Sequence, residues 1–208
     1  MTAQSSRSPA VSHAVAAVWG AAEATAFFIV PDVWLSRVAM RSRREALAAS
    51  VSAVAGAVAG GIATYAWARR TPPEESREAL RKLPAISGEM VDRCVAEIDA
   101  RGNRAMLTGP LRGVPYKLYA RAAGVRGLSL PGFALWSIPA RIPRFLAVSA
   151  ASSWIHGRAR ARLGENVTRR ISGPAHAAFW VAFYAWYLNT VGREDREAEA
   201  PPDLRGAR

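Results

Sequence analysis

The chain groups its hydrophobic residues into long uncharged blocks instead of spreading them in periodic stripes. Soluble helices and strands repeat their apolar residues every 3.6 or 2 positions, whereas blocks of about 20 residues are typical of bilayer-crossing segments. Residues 46–68 and 171–191 have that length, and 128–155 is long enough to cross with a tilt. The pattern therefore predicts an all-α integral membrane protein with about three transmembrane helices.

Two further apolar segments are interrupted in a way that a straight membrane-spanning helix does not tolerate. Residues 14–40 contain Glu23 and a break at Pro31, and residues 105–124 contain two prolines, three glycines and three basic residues. Broken backbone is accepted at membrane depth only where protein or a water-filled cavity surrounds it. We therefore predict two re-entrant hairpins that turn at Pro31 and Pro115, with one tilted span as the alternative for 14–40.

The segment between the second block and the second hairpin has the pattern of amphipathic surface helices. Thr71-Pro-Pro-Glu is typical of a capped helix start, and Ser87 is a second candidate cap. The predicted organisation is an N-terminal tail at 1–12, a membrane domain at 13–191 (hairpin 14–40, span 46–68, surface helices 72–104, hairpin 105–124, span 128–155, span 171–191) and a disordered tail at 192–208.

The span 46–68 carries small residues at four-residue intervals, namely Ser52, Gly56, Gly60 and Thr64. Such a strip lets another helix backbone approach closely. The spacing predicts that leucine at Gly56 or Gly60 disturbs folding more than leucine at Ala57, which is off the strip. The strip could pack within one chain or between two copies, so a homo-oligomer stays open.

The net charge of +12 is compatible with a membrane protein, because of where the basic residues lie. The arginines lie at the ends of apolar blocks, as in Arg41, Arg43 and Arg44, and in Arg158, Arg160 and Arg162. That placement is typical of contact with anionic lipid headgroups and of cytoplasmic loops, and it argues against a nucleic-acid partner. We therefore place Arg41–Arg44 and the basic loop 156–170 together on the cytoplasmic side.

Catalytic and metal-binding motifs are missing from the sequence. Cys94 is the one cysteine, so no internal disulfide can form, and His13, His156 and His176 lack ligand spacing. No nucleophile motif, phosphate-binding loop or metalloprotease motif occurs. We expect no enzyme activity, no metal and no cofactor.

Charged residues at membrane depth are the candidate functional groups: Glu23, Asp32, Arg112, Lys117, Arg121, Arg141 and Arg144. An ionised side chain near the bilayer centre costs roughly 2.5–3.5 kcal/mol, so such groups normally face the interior and pair. We expect the acids of the first hairpin to pair with bases of the second hairpin and of 128–155. Arg141 and Arg144 are three residues apart and share one helix side, whereas Arg121 is expected to extend to the interface.

Two roles follow for this set. In the functional one, Glu23 and Asp32 carry protons while an anionic substrate is held by Arg112, Lys117, Arg141 and Arg144. In the structural one, the acids and bases only neutralise each other and lock the hairpins together. Intramembrane ionisable residues are functional by default, which favours the first role for Glu23.

At these positions the chain resembles the DedA/VTT superfamily, also called the SNARE-associated Golgi protein group, and within it the YqaA-like branch. The resemblance covers about residues 15–155 and rests on Glu23-Ala-Thr with Val30-Pro31-Asp32, Gly56-x3-Gly60-x4-Tyr65, Gly113-Val-Pro115-Tyr-Lys117 with Ala123-Gly124, and Arg141-x2-Arg144-Phe145. It implies two facing re-entrant hairpins in an inverted repeat, in a protein of the bacterial plasma membrane. It also implies lipid transport or proton-dependent transport that depends on the hairpin acids and bases.

These observations predict a transporter or flippase of an anionic lipid or lipid phosphate, with proton coupling, whose partners are membrane lipids and protons. Paired broken segments are also what inverted-repeat transporters show in sequence. The alternatives are a proton-coupled exporter of small molecules and a non-transporting membrane scaffold.

Overall fold

A computed structural model describes residues 8–199, and the side chains of these residues except 110, 111 and 191–199. The described residues are helical and contain no strand, which confirms the all-α prediction. The helices are α1 (Pro9–Glu23), α2 (Asp32–Ala39), α3 (Arg43–Arg70), α4 (Pro73–Arg81), α5 (Gly88–Arg101), two 3₁₀ turns (Gly102–Leu107 and Gly109–Arg112), α6 (Tyr116–Val125), α7 (Leu130–Leu163) and α8 (Glu165–Glu199).

Within this part of the chain, one helix is long and apolar enough to cross a membrane by itself, and it is α3. The other two predicted spans lie within α7 and α8, which are longer than α3. Arginines or small polar residues interrupt both helices, so their composition alone does not identify them as membrane-crossing helices in the way that it does for α3.

The first hairpin reverses the chain at one end of α3. α1 lies parallel to α3, because His13 Nδ1 hydrogen-bonds with Ser52 Oγ at 2.8 Å and Thr64 Oγ1 donates to Ala24 O at 2.7 Å further along. After α1 the chain turns without regular structure and returns through α2 before α3 starts. Residues 8–42 therefore enter and leave at the same end of the molecule.

The predicted small-residue strip packs against α1 of the same chain. A Cβ atom at Gly56 would overlap the backbone of Ala17, and one at Gly60 would overlap the backbone of Ala21. Ala57, which is off the strip, is also buried, at 0 % exposed. α3 is contacted by α1, α2, α6 and α7, so its buried surface is wider than one row of small residues.

The second hairpin enters from the opposite end. Its first arm lies along α7, where Met106 Sδ accepts a weak hydrogen bond from Ser137, and its second arm, α6, returns along α3. Gly113, in the left-handed conformation at φ +70°, ends the first arm, and Pro115 precedes α6. The ends of the hairpin lie close together, since Arg126 pairs with Asp99 at 2.6 Å.

α7 runs antiparallel to α3. Tyr65 donates to Leu128 O near one end of the pair, and Ser50 Oγ lies 3.0 Å from Ser149 Oγ near the other. α2 packs on α7 and α6 packs on α3. The short returning helix of each hairpin thus lies against the long helix that follows the other hairpin.

Several predicted boundaries need correction. α7 continues to Leu163 and α8 begins at Glu165, so most of the predicted loop 156–170 is helical. Residues 192–199 of the predicted disordered tail belong to α8, and α1 begins within the predicted tail 1–12. The remaining tail residues, 1–7 and 200–208, lie outside the described residues.

The predicted surface helices are α4 and α5, and Ser87 caps the second by accepting from Met90 N at 3.1 Å. Arg77 holds the two helices together through both oxygens of Asp92, at 2.8 and 2.7 Å. This pairing lowers the pKa of the Asp92 carboxyl.

Arg121 does not extend to the interface as predicted. It is 3 % exposed and donates to Ser76 Oγ at 3.0 Å and to Pro73 O at 2.5 Å. Because these acceptors belong to the start of α4, Arg121 anchors α4 on the second hairpin.

Candidate functional site

A cavity of about 620 Å³ lies where the two hairpins meet α7 and α8. We call it the central cavity. It is lined by six of the charged residues that the sequence singles out, namely Glu23, Asp32, Arg112, Lys117, Arg141 and Arg144. These charged residues lie beside the turn of each hairpin or on α7, and they come together where the two turns meet.

The deepest ion pair joins Glu23 at the end of α1 to Arg141 in the middle of α7. Arg141 Nη2 donates to Glu23 Oε2, and both side chains are 5 % exposed. The guanidinium also lies over the rings of Tyr116 and Phe145, at 4.8 and 5.0 Å from their centres. Its Nε atom is buried and has no hydrogen-bond partner among the described residues.

The second ion pair joins Asp32, the first residue of α2, to Arg144. The pair is bidentate, with Arg144 Nη2 2.9 Å from Asp32 Oδ2 and Arg144 Nε 3.3 Å from Oδ1. Asp32 is buried, whereas the Arg144 side chain is 36 % exposed, so this pair faces the opening of the cavity. Arg141 and Arg144 thus take one acid each from the first hairpin, as their spacing predicts.

Lys117 joins the tips of the two hairpins. It is 2 % exposed, and its Nζ donates to Phe27 O at 2.7 Å. Among the described residues no carboxylate lies within ion-pair distance of its Nζ. The interior of the cavity therefore holds three cations, Lys117, Arg141 and Arg144, against the two acids Glu23 and Asp32.

Arg112 lies at the rim of the central cavity, where a surface acid already pairs with it. Its side chain is 43 % exposed and lies 2.6 Å from Glu97 Oε1. Glu97 also accepts from Tyr119 at 2.7 Å. Burial raises the pKa of the Glu97 carboxyl, but the hydrogen bonds from Tyr119 and Arg112 outweigh this, and the pKa lies below its usual value. Arg112, which the sequence predicts to bind the substrate, thus already has a carboxylate partner.

The aromatic residues of α8 form a wall that the sequence analysis did not include in the site. Tyr184 Oη accepts from Val30 N at 2.7 Å, just before the Pro31 turn. Tyr187 Oη donates to Gly113 O at 3.2 Å, at the tip of the second hairpin. Their spacing of three residues places them on one side of the helix, which is the signal that could have identified them.

Comparisons with known protein families, with curated proteins and with solved structures found no significant match. No group of three or more His, Cys, Asp or Glu residues within the described part could hold a metal ion. The central cavity instead offers an excess of positive charge and an unused guanidinium donor, which together suit an anion.

Proposed function

We propose that this chain is an integral membrane protein that moves an anionic lipid, such as a lipid phosphate, through the central cavity together with protons. The observation that carries the proposal is the buried cation excess at the meeting point of the two hairpins. In this proposal both hairpins are re-entrant, and α7 and α8 cross the membrane beside α3.

Exposed apolar side chains support the membrane part of the proposal. Val18 on α1, Leu135 on α7 and Val181 on α8 are between 68 and 70 % exposed, and Trp154 and Trp186 are each 62 % exposed. Soluble monomers rarely expose apolar surface on so many neighbouring helices, whereas lipid-facing helices do. The two opposed hairpins are also the arrangement that the resemblance to the DedA/VTT superfamily implies.

The chemistry of the cavity supports an anionic substrate. A buried cation without a counter-ion is costly, and an anion beside Lys117 offsets that cost. The free Nε of Arg141 adds a donor, and guanidinium groups suit phosphate oxygens particularly well. A small cation would meet the same excess of positive charge, so the exporter alternative has less support when its substrate is cationic.

Competition for Arg141 would couple transport to protons. When Glu23 is ionised it holds Arg141, as in the described pair. When Glu23 takes up a proton, its hold on the guanidinium weakens and the donors of Arg141 become available to a phosphate group. Proton release from Glu23 then restores the ion pair and displaces the anion.

The test is Glu23→Gln in purified protein reconstituted into vesicles, with lipid translocation measured under a pH gradient. Glutamine cannot release a proton, but its carbonyl still accepts a hydrogen bond from Arg141, so we expect transport to stop while the protein stays folded. Thermal unfolding in detergent monitors the fold. A stable Glu23→Gln protein that retains full transport would exclude the proton-carrier role.

A second variant separates this proposal from the scaffold alternative. If Glu23 were only a counter-ion, its loss would leave the buried charge of Arg141 without a counter-ion, at a cost on the order of 3–5 kcal/mol. The unfolding temperature of Glu23→Gln would then fall, and adding Arg141→Gln would restore it. In the transport proposal the single variant keeps its stability and the double variant stays inactive.

A further inference from the structure

A second cavity, of about 510 Å³, lies at the end of the molecule where α7 passes into α8. We call it the basic-end cavity, and it is lined by Arg37 of α2, Arg41, Arg160 of α7, and Glu165, Thr168 and Arg169 of α8, among others. None of these residues lines the central cavity. The predicted proximity of the Arg41 region to the basic segment 156–170 is thus present in the fold.

The arginines of the basic-end cavity are only partly neutralised. Glu165 pairs with Arg160, and it is the one acid in the cavity lining. Arg37, Arg41 and Arg169 have no ion pair with any described residue. α2, the turn that follows it and α8 therefore bring unmatched guanidinium groups to one concave surface.

A buried hydroxyl at the same place points to a missing partner. Thr168 is 1 % exposed, and its Oγ1 is buried without a hydrogen-bond partner among the described residues. Buried polar groups without a partner are rare and call for an explanation such as a bound ligand. An oxyanion can accept from this hydroxyl and from the surrounding guanidinium groups at the same time.

We propose that the basic-end cavity is a second anion site, which binds a phosphate group through Arg37, Arg169 and the Thr168 hydroxyl. The phosphate group belongs either to the headgroup of a phosphatidate-type lipid or to a free phosphate ion. This site goes beyond the proposed transport function, because it shares no lining residue with the central cavity.

A hydrogen-bonded layer separates the two cavities. His176 Nε2 lies 2.9 Å from Ser36 Oγ, and Trp180 Nε1 donates to Ser36 Oγ at 3.1 Å. Trp180 lines the central cavity, whereas Gly173, one turn before His176, lines the basic-end cavity. The two cavities share no lining residue, so a substitution in the lining of one leaves the lining of the other unchanged.

The experiment is calorimetric titration of the purified full chain in non-ionic detergent, with inorganic phosphate and with dioctanoyl phosphatidate as probes and dioctanoyl phosphatidylcholine as the neutral control. The double variant Arg37→Gln with Arg169→Gln should weaken binding by about tenfold or more, because charge-assisted hydrogen bonds are strong. The matched control is Arg43→Gln with Arg44→Gln, two exposed arginines outside the cavity lining. It should change the affinity less than about twofold, since neither side chain lines the cavity and exposed charges outside a site contribute little.

Thr168→Val tests the hydroxyl separately. Valine keeps the shape, and no hydrogen bond is lost in the free protein, so the unfolding temperature should not fall. The affinity for the phosphate probe should drop by roughly two- to tenfold, as expected for one neutral hydrogen bond. Unchanged affinity with a stable fold would overturn the proposed role of Thr168.

The two probes distinguish the source of the phosphate group. Binding of both supports a site that needs only phosphate, and binding of phosphatidate alone supports a lipid headgroup site. Binding of neither, or equal weakening in both double variants, overturns the proposal. Lys117→Met alters only the central cavity, so it should keep the phosphate binding that the Arg37, Arg169 double variant loses. The result at the basic-end cavity therefore does not depend on whether the transport proposal is correct.

Discussion

Lys117 carries the charge that distinguishes the central cavity from a set of neutral ion pairs. Its ammonium contacts a backbone carbonyl, while the neighbouring arginines each have a carboxylate. Replacing a buried but unpaired cation breaks no ion pair and removes a desolvation cost. Lys117 therefore gives a cleaner test of anion binding than either arginine.

We expect Lys117→Met to lower transport of an anionic lipid by at least about tenfold, because the substrate loses a charged partner. The unfolding temperature should stay the same or rise. Vesicle translocation and thermal unfolding in detergent measure the two effects. Lys117→Arg, which keeps the charge, should retain most of the transport, and full transport by the methionine variant would contradict anion binding at Lys117.

The paired acids and bases of the cavity could be predicted from sequence, because charges at membrane depth must face each other. The sequence predicted only some of the individual partners. Glu97 lies in a segment with the composition of a solvated helix, so nothing in the sequence indicates that it neutralises Arg112. The partners of Arg121 were equally unpredictable from sequence, because its acceptors are a serine hydroxyl and a backbone carbonyl, and neither group is charged.

At the scale of helices, the contact between α1 and α3 depends on the absence of side chains. Gly60 faces the backbone of Ala21, whereas Ala59, the next residue toward the N-terminus, is exposed. We expect Gly60→Leu to destabilise the protein by about 1–3 kcal/mol or more, because the added side chain must separate the two helices.

Thermal unfolding in detergent measures this effect, and Ala59→Leu is the matched control. It places the same side chain on the exposed side of α3 and should change the stability by less than about 0.5 kcal/mol. Equal unfolding temperatures for the two variants would show that α1 does not depend on close contact with α3.

Sequence spacing identified this strip correctly but not the full buried surface of α3. Four-residue intervals mark one row along a helix, while α3 contacts several helices around its circumference, and this is why Ala57 is buried as well. Residues 128–155 were predicted as one span, and α7 does run without a break through Pro139 and Pro143, but it continues further, to Leu163.

At the scale of the molecule, the two hairpins allow us to predict on which side of the membrane the segments that flank them lie. Single cysteines replacing Ser5 and Ser42 should react with an impermeant thiol reagent from the same side, because the first hairpin returns the chain to its starting end. A cysteine replacing Glu89, on α5 at the other end, should react from the opposite side. Reaction of the first two from opposite sides would show that residues 14–40 cross the membrane.

The native cysteine is a suitable background for this measurement. Cys94 is 1 % exposed, and burial raises the pKa of its thiol to about 12. Since the thiolate is the reactive form, Cys94 should label slowly in every variant. The order of hairpins and long helices could be predicted from the lengths of the apolar blocks and the positions of the prolines. The contact between the two hairpin tips could not be predicted, because it depends on how the helices pack in three dimensions.

The backbone contact between α1 and α3 also determines which part of the protein can move. Helices that touch along glycine and alanine residues have no side chains to rearrange, so α1 and α3 shift together as a rigid body. α8 instead meets the first hairpin through side chains, since Tyr184 accepts from Val30 N and Trp180 donates to Ser36 Oγ. Under the proposed transport function, we therefore expect α8 to be the wall that moves when the central cavity opens. Spin-label distances should stay narrow between α1 and α3 and broaden between α8 and the first hairpin, and the reverse result would assign the moving wall to α1.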